Sequence, residues 1–168
     1  MKKGDIVLID TNVIIECHRT SCWNALSSFY DIHTVLKVME ETQTGYQNRA
    51  TQQQIDYTLL KQSIKHIYDV TELDRATQAL SGSTSLSNLD PGERDLLTYA
   101  TMLKGDVWLL CSPDKAAMKA AYNLTWLNRI VSLESLLKAC GHRVQLTLKD
   151  NYTEAWQSKT KTQIILGT

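Results

Sequence analysis

The chain has 168 residues with 18 basic and 18 acidic side chains, so its formal net charge at pH 7 is zero. This length suits one compact domain with a sizeable core, and the balanced charge removes the basic surplus that would by itself indicate nucleic-acid binding, although a local basic patch is still compatible with it. The four cysteines form no CxxC pair, and no apolar run is long enough for a signal peptide or a membrane-spanning helix, so we expect a cytoplasmic protein with reduced thiols and no membrane association.

The first half of the chain alternates short apolar strands with helical segments. A continuous apolar run, Ile6–Ile9, predicts a strand buried on both faces. A helix capped by Thr11 or Asn12 should follow, with an inner face made of Val13, Ile14, Cys17 and Leu26. The segment DIHTV (31–35) predicts a second strand, and VLKVMEETQTG (35–45) predicts a helix that ends near its glycine. The Gln- and Thr-rich residues 46–63 predict a helical insertion or arm.

The second half repeats this alternation. HIYDV (66–70) predicts a short strand, ELDRATQAL (72–80) a helix, and SGSTSLSN (81–88) a loop. A helix from about residue 93 to 103 leads into DVWLLCS (106–112), the segment with the most pronounced strand character. An alanine-rich helix starts at Asp114, RIVSL (129–133) and ESLLKAC (134–140) form another strand–helix pair, and the tail holds one helix around residues 153–159.

Strands interleaved with helices predict an α/β fold with a mainly parallel sheet covered by helices on both faces. No internal repeat and no long linker divides the sequence, so we expect a single domain over residues 1–141 and an extension, 142–168, that packs on it or trails it. Active sites of such sheets lie beyond the carboxyl ends of the strands. The acidic residues that fall near these ends are Asp10, Glu40, Glu41, Glu93, Asp95 and Asp114.

A ring of carboxylates suits Mg²⁺ or Mn²⁺, which prefer oxygen ligands, retain several waters and accept phosphate oxygens. Two such ions about 4 Å apart can activate water for phosphodiester cleavage. Each acid also has a structural explanation. Asp10 and Asp114 can cap helices, Glu93 and Asp95 suit a first helical turn, and Glu40 and Glu41 can be solvated. The functional interpretation depends on all of these acids lying near the ends of predicted strands, in the same order along the chain.

Four motifs carry a family resemblance: LIDTNVII (8–15), VMEETQTG (38–45), GERDLLTYA (92–100) and CSPDKAAMKAA (111–121). With these motifs the sequence resembles, over roughly residues 5–140, the PIN-domain family of metal-dependent nucleases, which includes the VapC-type toxins of bacterial toxin–antitoxin pairs. The resemblance implies a Rossmann-like sandwich with a parallel sheet of four or five strands. It also implies an acidic pocket that holds Mg²⁺ or Mn²⁺ and acts on RNA.

The resemblance assigns roles residue by residue. Asp10 matches the first metal ligand, with Thr11 or Asn12 as its polar partner. Glu41 matches the second acid because the family's glutamate commonly lies four residues before a glycine, and Glu40 is the alternative. The third acid matches Glu93 by one family pattern and Asp95 by another, with Asp95 slightly preferred. The last acid and its companion are Asp114 and Ser112.

The implied activity is a Mg²⁺- or Mn²⁺-dependent endoribonuclease, and the resemblance to VapC-type proteins also suggests the toxin of a toxin–antitoxin pair. Its partners would be RNA, a protein inhibitor (the antitoxin) and a second copy of the chain in a homodimer. The alternative is a non-catalytic PIN-like module that binds RNA or protein and retains the acids as structure. Basic side chains that can contact RNA are Arg49, Lys61, Lys65, Arg75, Arg94, Lys115 and Lys119.

Overall fold

The structure, a computed structural model, describes residues 1–44, 51, 54–81, 86–105 and 107–167. Within these residues one sheet is formed by β1 (Ile6–Ile9), β2 (Asp31–Val35), β3 (His66–Tyr68) and β4 (Trp108–Cys111). The strand order is β3-β2-β1-β4, and every neighbouring pair is parallel. The predicted α/β architecture with a parallel sheet is therefore confirmed.

The helices connect and flank these strands. They are α1 (Thr11–Arg19), α2 (Trp23–Phe29), α3 (Leu36–Glu41), α4 (Tyr57–Ser63), α5 (Glu72–Leu80), α6 (Pro91–Met102), α7 (Lys115–Asn123), α8 (Leu133–Ala139) and α9 (Glu154–Leu166). Helix α6 starts with Pro91, a residue whose fixed backbone angle suits the first helical position. Helix α5 starts with a capping box between Thr71 and Asp74.

The centre of the sheet is the centre of the core. Val7, Leu8 and Ile9 of β1 are fully buried, which explains why this strand is apolar on both faces. Helices α3 and α6 both contact β2, and α6 also contacts β1. The first turn of α6 is thereby held at the carboxyl ends of the central strands. Helix α9, in the C-terminal extension, packs against α7 and α8.

Two sequence-based predictions of elements were wrong. RIVSL was expected to form a strand, but only Ile130 pairs with the sheet, in a single parallel bridge to Leu110. The reason is local, because a 3₁₀ turn ends at Arg129 and Ser132 already caps α8. The single helix expected from Thr11 past Leu26 is broken into α1 and α2 at Ser21, which adopts a left-handed conformation with φ of 56°.

Other predictions were close in position. The tail helix exists but is longer than expected, because α9 continues to Leu166. In the predicted insertion (46–63), the structure describes α4, whereas residues 46–50, which include Arg49, and residues 52–53 lie outside the described residues, as do Gly45 and residues 82–85 of the predicted loop at 81–88. No helix among the described residues combines the length and the apolar character needed to cross a bilayer.

Candidate functional site

Asp10 lies at the centre of a group of acidic side chains. It follows the last residue of β1 and caps α1, where its Oδ1 accepts a hydrogen bond from the Asn12 backbone N–H at 3.4 Å. The residue is only 2% exposed. Burial, together with the negative charge of Glu41, raises the pKa of the Asp10 carboxyl to about 7. Of the capping candidates that the sequence offers, Asp10, Thr11 and Asn12, the structure uses Asp10.

Glu41 ends α3 and points toward the first turns of two other helices. Its Oε2 accepts a hydrogen bond from the Thr11 hydroxyl at 2.8 Å, and its Oε1 accepts one from the Gly92 backbone N–H at 2.9 Å. A Cβ at position 92 would overlap this carboxylate, so the missing side chain of Gly92 allows Glu41 to approach the first turn of α6 this closely. The neighbouring Glu40 is exposed and forms an ion pair with Lys37 at 3.0 Å. The structure thus brings Glu41 into the acidic group and leaves Glu40 outside it.

Glu93 and Asp95 point in different directions from α6. Glu93 is 7% exposed, and its pKa is raised to about 8 by burial first, and then by the negative charges of the nearby acids Asp10, Asp114, Asp90 and Glu41. Asp95 is also buried, but it accepts two hydrogen bonds from the Arg75 guanidinium, at 2.8 Å and 2.6 Å. The paired guanidinium compensates the Asp95 charge, whereas Glu93 faces other acids.

Asp114 and Ser112 follow β4, directly beside Asp10. Ile9 and Cys111 are register partners, which places the residues after them next to each other. The Ser112 hydroxyl donates to Asp10 Oδ2 at 3.4 Å and accepts from the Asp114 backbone N–H at 3.2 Å. Asp114 caps α7, with its Oδ1 accepting from the backbone N–H groups of Ala116 and Ala117. Ser112 therefore connects the two strand-end aspartates.

Asn12 contacts the other residues of the site through its backbone, and the residue is exposed. Its carbonyl oxygen accepts a hydrogen bond from the Tyr152 hydroxyl at 3.1 Å, so the C-terminal extension contacts the first turn of α1. Sequence reasoning did not identify the contacts of Tyr152 and Gly92, and it listed Arg75 as a side chain that can contact RNA, whereas Arg75 forms ion pairs with Asp95 and Glu72. A glycine directly before Glu93 was the signal in the sequence that could have indicated a close contact at Gly92. Nothing local in the sequence indicates the partners of Tyr152 or Arg75.

Asp10, Glu41, Glu93 and Asp114 form what we call the acidic cluster. Among the described residues, no Lys or Arg forms an ion pair with Asp10, Glu93 or Asp114. The described side chains also contain no group of three or more His, Cys, Asp or Glu residues arranged so that it could hold a metal ion. The cluster is thus a set of mutually repelling, largely buried acids without a ready-made three-ligand cage.

The oxygen-only donor set fits Mg²⁺ or Mn²⁺, which commonly take one or two carboxylates directly and complete their coordination with water and phosphate oxygens. A site of this kind does not need three preformed protein ligands. Comparisons of the chain with protein-family models, with curated proteins and with solved structures give no match.

Proposed function

We propose that this protein is a Mg²⁺- or Mn²⁺-dependent endoribonuclease with a PIN-type acidic site. One observation carries the proposal. Four acids from segments far apart in the sequence interact at the carboxyl edge of a parallel sheet, where burial and mutual repulsion raise the pKa of Asp10 to about 7 and that of Glu93 to about 8. Buried like charges are costly unless a cation or a proton compensates them, so a divalent cation is the natural ligand.

The residues that would hold the cation are Asp10, Asp114, Glu93 and Glu41, some directly and others through water. A bound Mg²⁺ or Mn²⁺ would supply charge stabilisation for the phosphodiester and a nucleophile from water at neutral pH. The chain itself supplies orientation. Thr11 and Gly92 fix the Glu41 carboxylate from two sides, and Ser112 holds Asp10 beside Asp114. Asp95 has a structural role in this proposal, as the partner of Arg75.

The test compares two neighbouring glutamates that receive the same substitution, one inside the acidic cluster and one outside it. Cleavage of end-labelled single-stranded RNA is measured with Mg²⁺, with Mn²⁺ and with EDTA. Glu41→Gln should abolish cleavage, whereas Glu40→Gln, which changes the adjacent exposed glutamate, should retain it. Asp10→Asn should abolish both the cleavage and the rise in melting temperature that Mn²⁺ causes in the wild type.

Equal cleavage by the Glu41→Gln and Glu40→Gln variants would contradict the assigned site. Absence of any RNA cleavage, together with no change in melting temperature on adding either cation, would contradict the enzyme. A parallel assay on single-stranded and flap DNA separates a ribonuclease from a deoxyribonuclease with the same site. A small inhibitor protein encoded beside this chain, and a dimer in solution, would support the toxin role.

A non-catalytic RNA- or protein-binding module is the second candidate. The observation in its favour is that the described residues hold no preformed three-ligand cage, and that Glu41 is already hydrogen-bonded to Thr11 and Gly92. In that case RNA would bind, with or without a cation, and would remain intact under every condition of the cleavage assay.

A further inference from the structure

Four ring side chains lie together where β2 pairs with β3, and we call them the ring cluster: His33, His66, Tyr68 and Tyr99. His33 and His66 are register partners on the two strands, so their side chains leave the same face of the sheet, with ring centroids 5.3 Å apart. Tyr68 lies two residues after His66 and points to that face as well. Tyr99 comes from α6, which packs on β2, and its hydroxyl lies 2.9 Å from His33 Nδ1. The ring cluster therefore joins this side of the sheet to α6.

The rings of this cluster are stacked on Tyr99. Tyr68 and Tyr99 have centroids 5.0 Å apart and planes 15° apart, and His66 stacks on Tyr99 at 5.8 Å and 28°. Tyr99 is buried, Tyr68 is half-buried and His66 is exposed. Core packing explains Tyr99, but an exposed His66 ring gains little from packing. The exposed end of a stack of rings is a surface on which another flat aromatic group can stack.

Arg94 lies between the ring cluster and the acidic cluster. It follows Glu93 directly on α6, and Tyr99 lies about 9 Å from Glu93 along the axis of the same helix. The Arg94 Nε is 3.5 Å from Asp95 Oδ1, and Asp95 is one helical turn before Tyr99, on the same side of α6. The Arg94 side chain is 36% exposed, and within the described part of the chain its guanidinium donates no hydrogen bond. Its terminal N–H groups can therefore bind a phosphate oxygen.

We propose that the ring cluster is a base-stacking subsite for single-stranded RNA, in which His66 stacks on an unpaired base and Arg94 binds a phosphate between that base and the acidic cluster. The inference rests on the proposed function, because the acidic cluster defines where the phosphodiester to be cleaved lies. It adds the class of RNA. Proteins bind single strands through aromatic rings that stack on the bases and basic groups that follow the backbone, whereas the bases of a duplex are already stacked and paired.

The experiment measures the binding of short single-stranded RNAs of identical mixed sequence, each carrying a fluorescent adenine analogue at a different position. The emission of the analogue falls when it stacks on a ring, and its anisotropy gives Kd. Binding to the wild type is measured in EDTA, and binding to the Glu41→Gln variant is measured with Mg²⁺, so that the RNA stays intact in both conditions. We expect the single strand to bind with reduced emission at one or more positions, and a fully base-paired RNA of the same composition to bind more weakly.

Matched variants separate stacking from folding and from overall charge. His66→Ala should weaken binding of the single strand about 5- to 10-fold and restore the emission, whereas His66→Phe, which keeps a ring, should behave like the wild type. Tyr122→Ala removes an exposed ring near the end of α7 and should leave binding unchanged. Arg94→Gln should lower the slope of log Kd against log salt concentration by about 0.7, because one phosphate contact is lost. Arg143→Gln, which removes an exposed arginine of the C-terminal extension, should leave that slope unchanged.

Three results would overturn the inference. The first is a single strand that binds in neither condition, and the second is a base-paired RNA that binds as tightly as the single strand. The third is equal binding and equal emission with the wild type and with His66→Ala, as expected if this surface contacts a protein. Single-stranded DNA that binds in the same His66-dependent way would support the stacking subsite.

These outcomes are distinct from those of the proposed function. A wild type that cleaves RNA but binds it independently of His66 would retain the nuclease activity and refute the stacking subsite. A wild type that binds RNA through His66 and cleaves none under any condition would support the subsite and favour the non-catalytic module.

Discussion

Replacing Asp10 by Asn should make the metal-free protein more stable, and increasingly so as the pH rises. Folding raises the pKa of Asp10 from its ordinary 3.8 to about 7. Because the folded state binds the Asp10 proton more tightly than the unfolded state, the protonated carboxyl costs the folded protein nothing below about pH 4. As the pH rises from there through 7, the free energy of unfolding falls, because the folded state must then either keep a proton that the unfolded state has released or hold a buried negative charge. Asn keeps the shape and can still cap α1, but it never carries the charge.

The size of the effect follows from the shift. Between pH 5 and pH 7 the unfolded Asp10 is ionised and the folded one is not, so the wild type loses about 1.4 kcal/mol per pH unit, or about 3 kcal/mol over this range. In a domain of this size, 1 kcal/mol corresponds to about 2–4 °C in melting temperature. The melting temperature of Asp10→Asn relative to wild type should therefore increase by about 6–12 °C from pH 5 to pH 8. Loss of the Asp10 charge also lowers the pKa of Glu93, which acts in the same direction.

The assay is thermal unfolding of both proteins in EDTA at pH 5, 6, 7 and 8. Asp56→Asn is the control. Asp56 also caps a helix, α4, but it is exposed and does not belong to the acidic cluster, so this variant measures the effect of changing a cap alone. A difference between Asp10→Asn and wild type that stays constant from pH 5 to pH 8 would refute the inference that Asp10 is buried among like charges.

Three further substitutions test the rest of the site. Asp95→Asn should lower the free energy of unfolding by roughly 2 kcal/mol, because it leaves the partly buried Arg75 guanidinium with only its exposed partner Glu72, yet the Mn²⁺-induced rise in melting temperature should remain. Glu93→Gln should raise the melting temperature in EDTA at pH 8 and reduce Mg²⁺-dependent RNA cleavage by about 10- to 100-fold, as measured by initial rates. Gly92→Ala should cost about 1 kcal/mol in urea unfolding, because its methyl group moves the flexible end of Glu41 away from its hydrogen bonds to Thr11 and to the backbone N–H of residue 92; unchanged stability would mean that these hydrogen bonds contribute nothing to it.

The sequence predicted the sheet well where a strand is central. Ile6–Ile9 and Trp108–Cys111 are continuous apolar runs because both faces of these neighbouring strands are covered. The segment RIVSL, which is apolar at three of its five positions, does not extend the sheet, because Arg129 belongs to a 3₁₀ turn and Ser132 caps α8. In both cases the apolar residues indicate burial. They do not indicate whether the segment has enough residues outside neighbouring turns and helices to form a strand in the sheet.

The candidate site was predictable to the level of segments and not to the level of side chains. Glu93 and Asp95 are two residues apart on one helix, and their separation into an acidic neighbourhood and an ion pair depends on Arg75 in another helix. Glu41 is distinguished from Glu40 by contacts with Thr11 and Gly92. Such long-range partners leave no local periodicity, so the alternatives could be resolved only in three dimensions.

Helix capping and cation binding, which the sequence presents as alternatives for Asp10 and Asp114, are compatible in the structure. Asp114 uses Oδ1 for both backbone N–H groups of α7, and among the described residues no hydrogen bond reaches its Oδ2. The hydrogen bonds of Asp10 to Asn12 and Ser112 are both long, at 3.4 Å, so an approaching cation would displace little. Because Asn caps helices about as well as Asp, Asp114→Asn separates the two roles. If capping is the only role, the variant keeps its stability and its response to Mn²⁺. If Asp114 also faces a cation, the stability is kept and the response is lost.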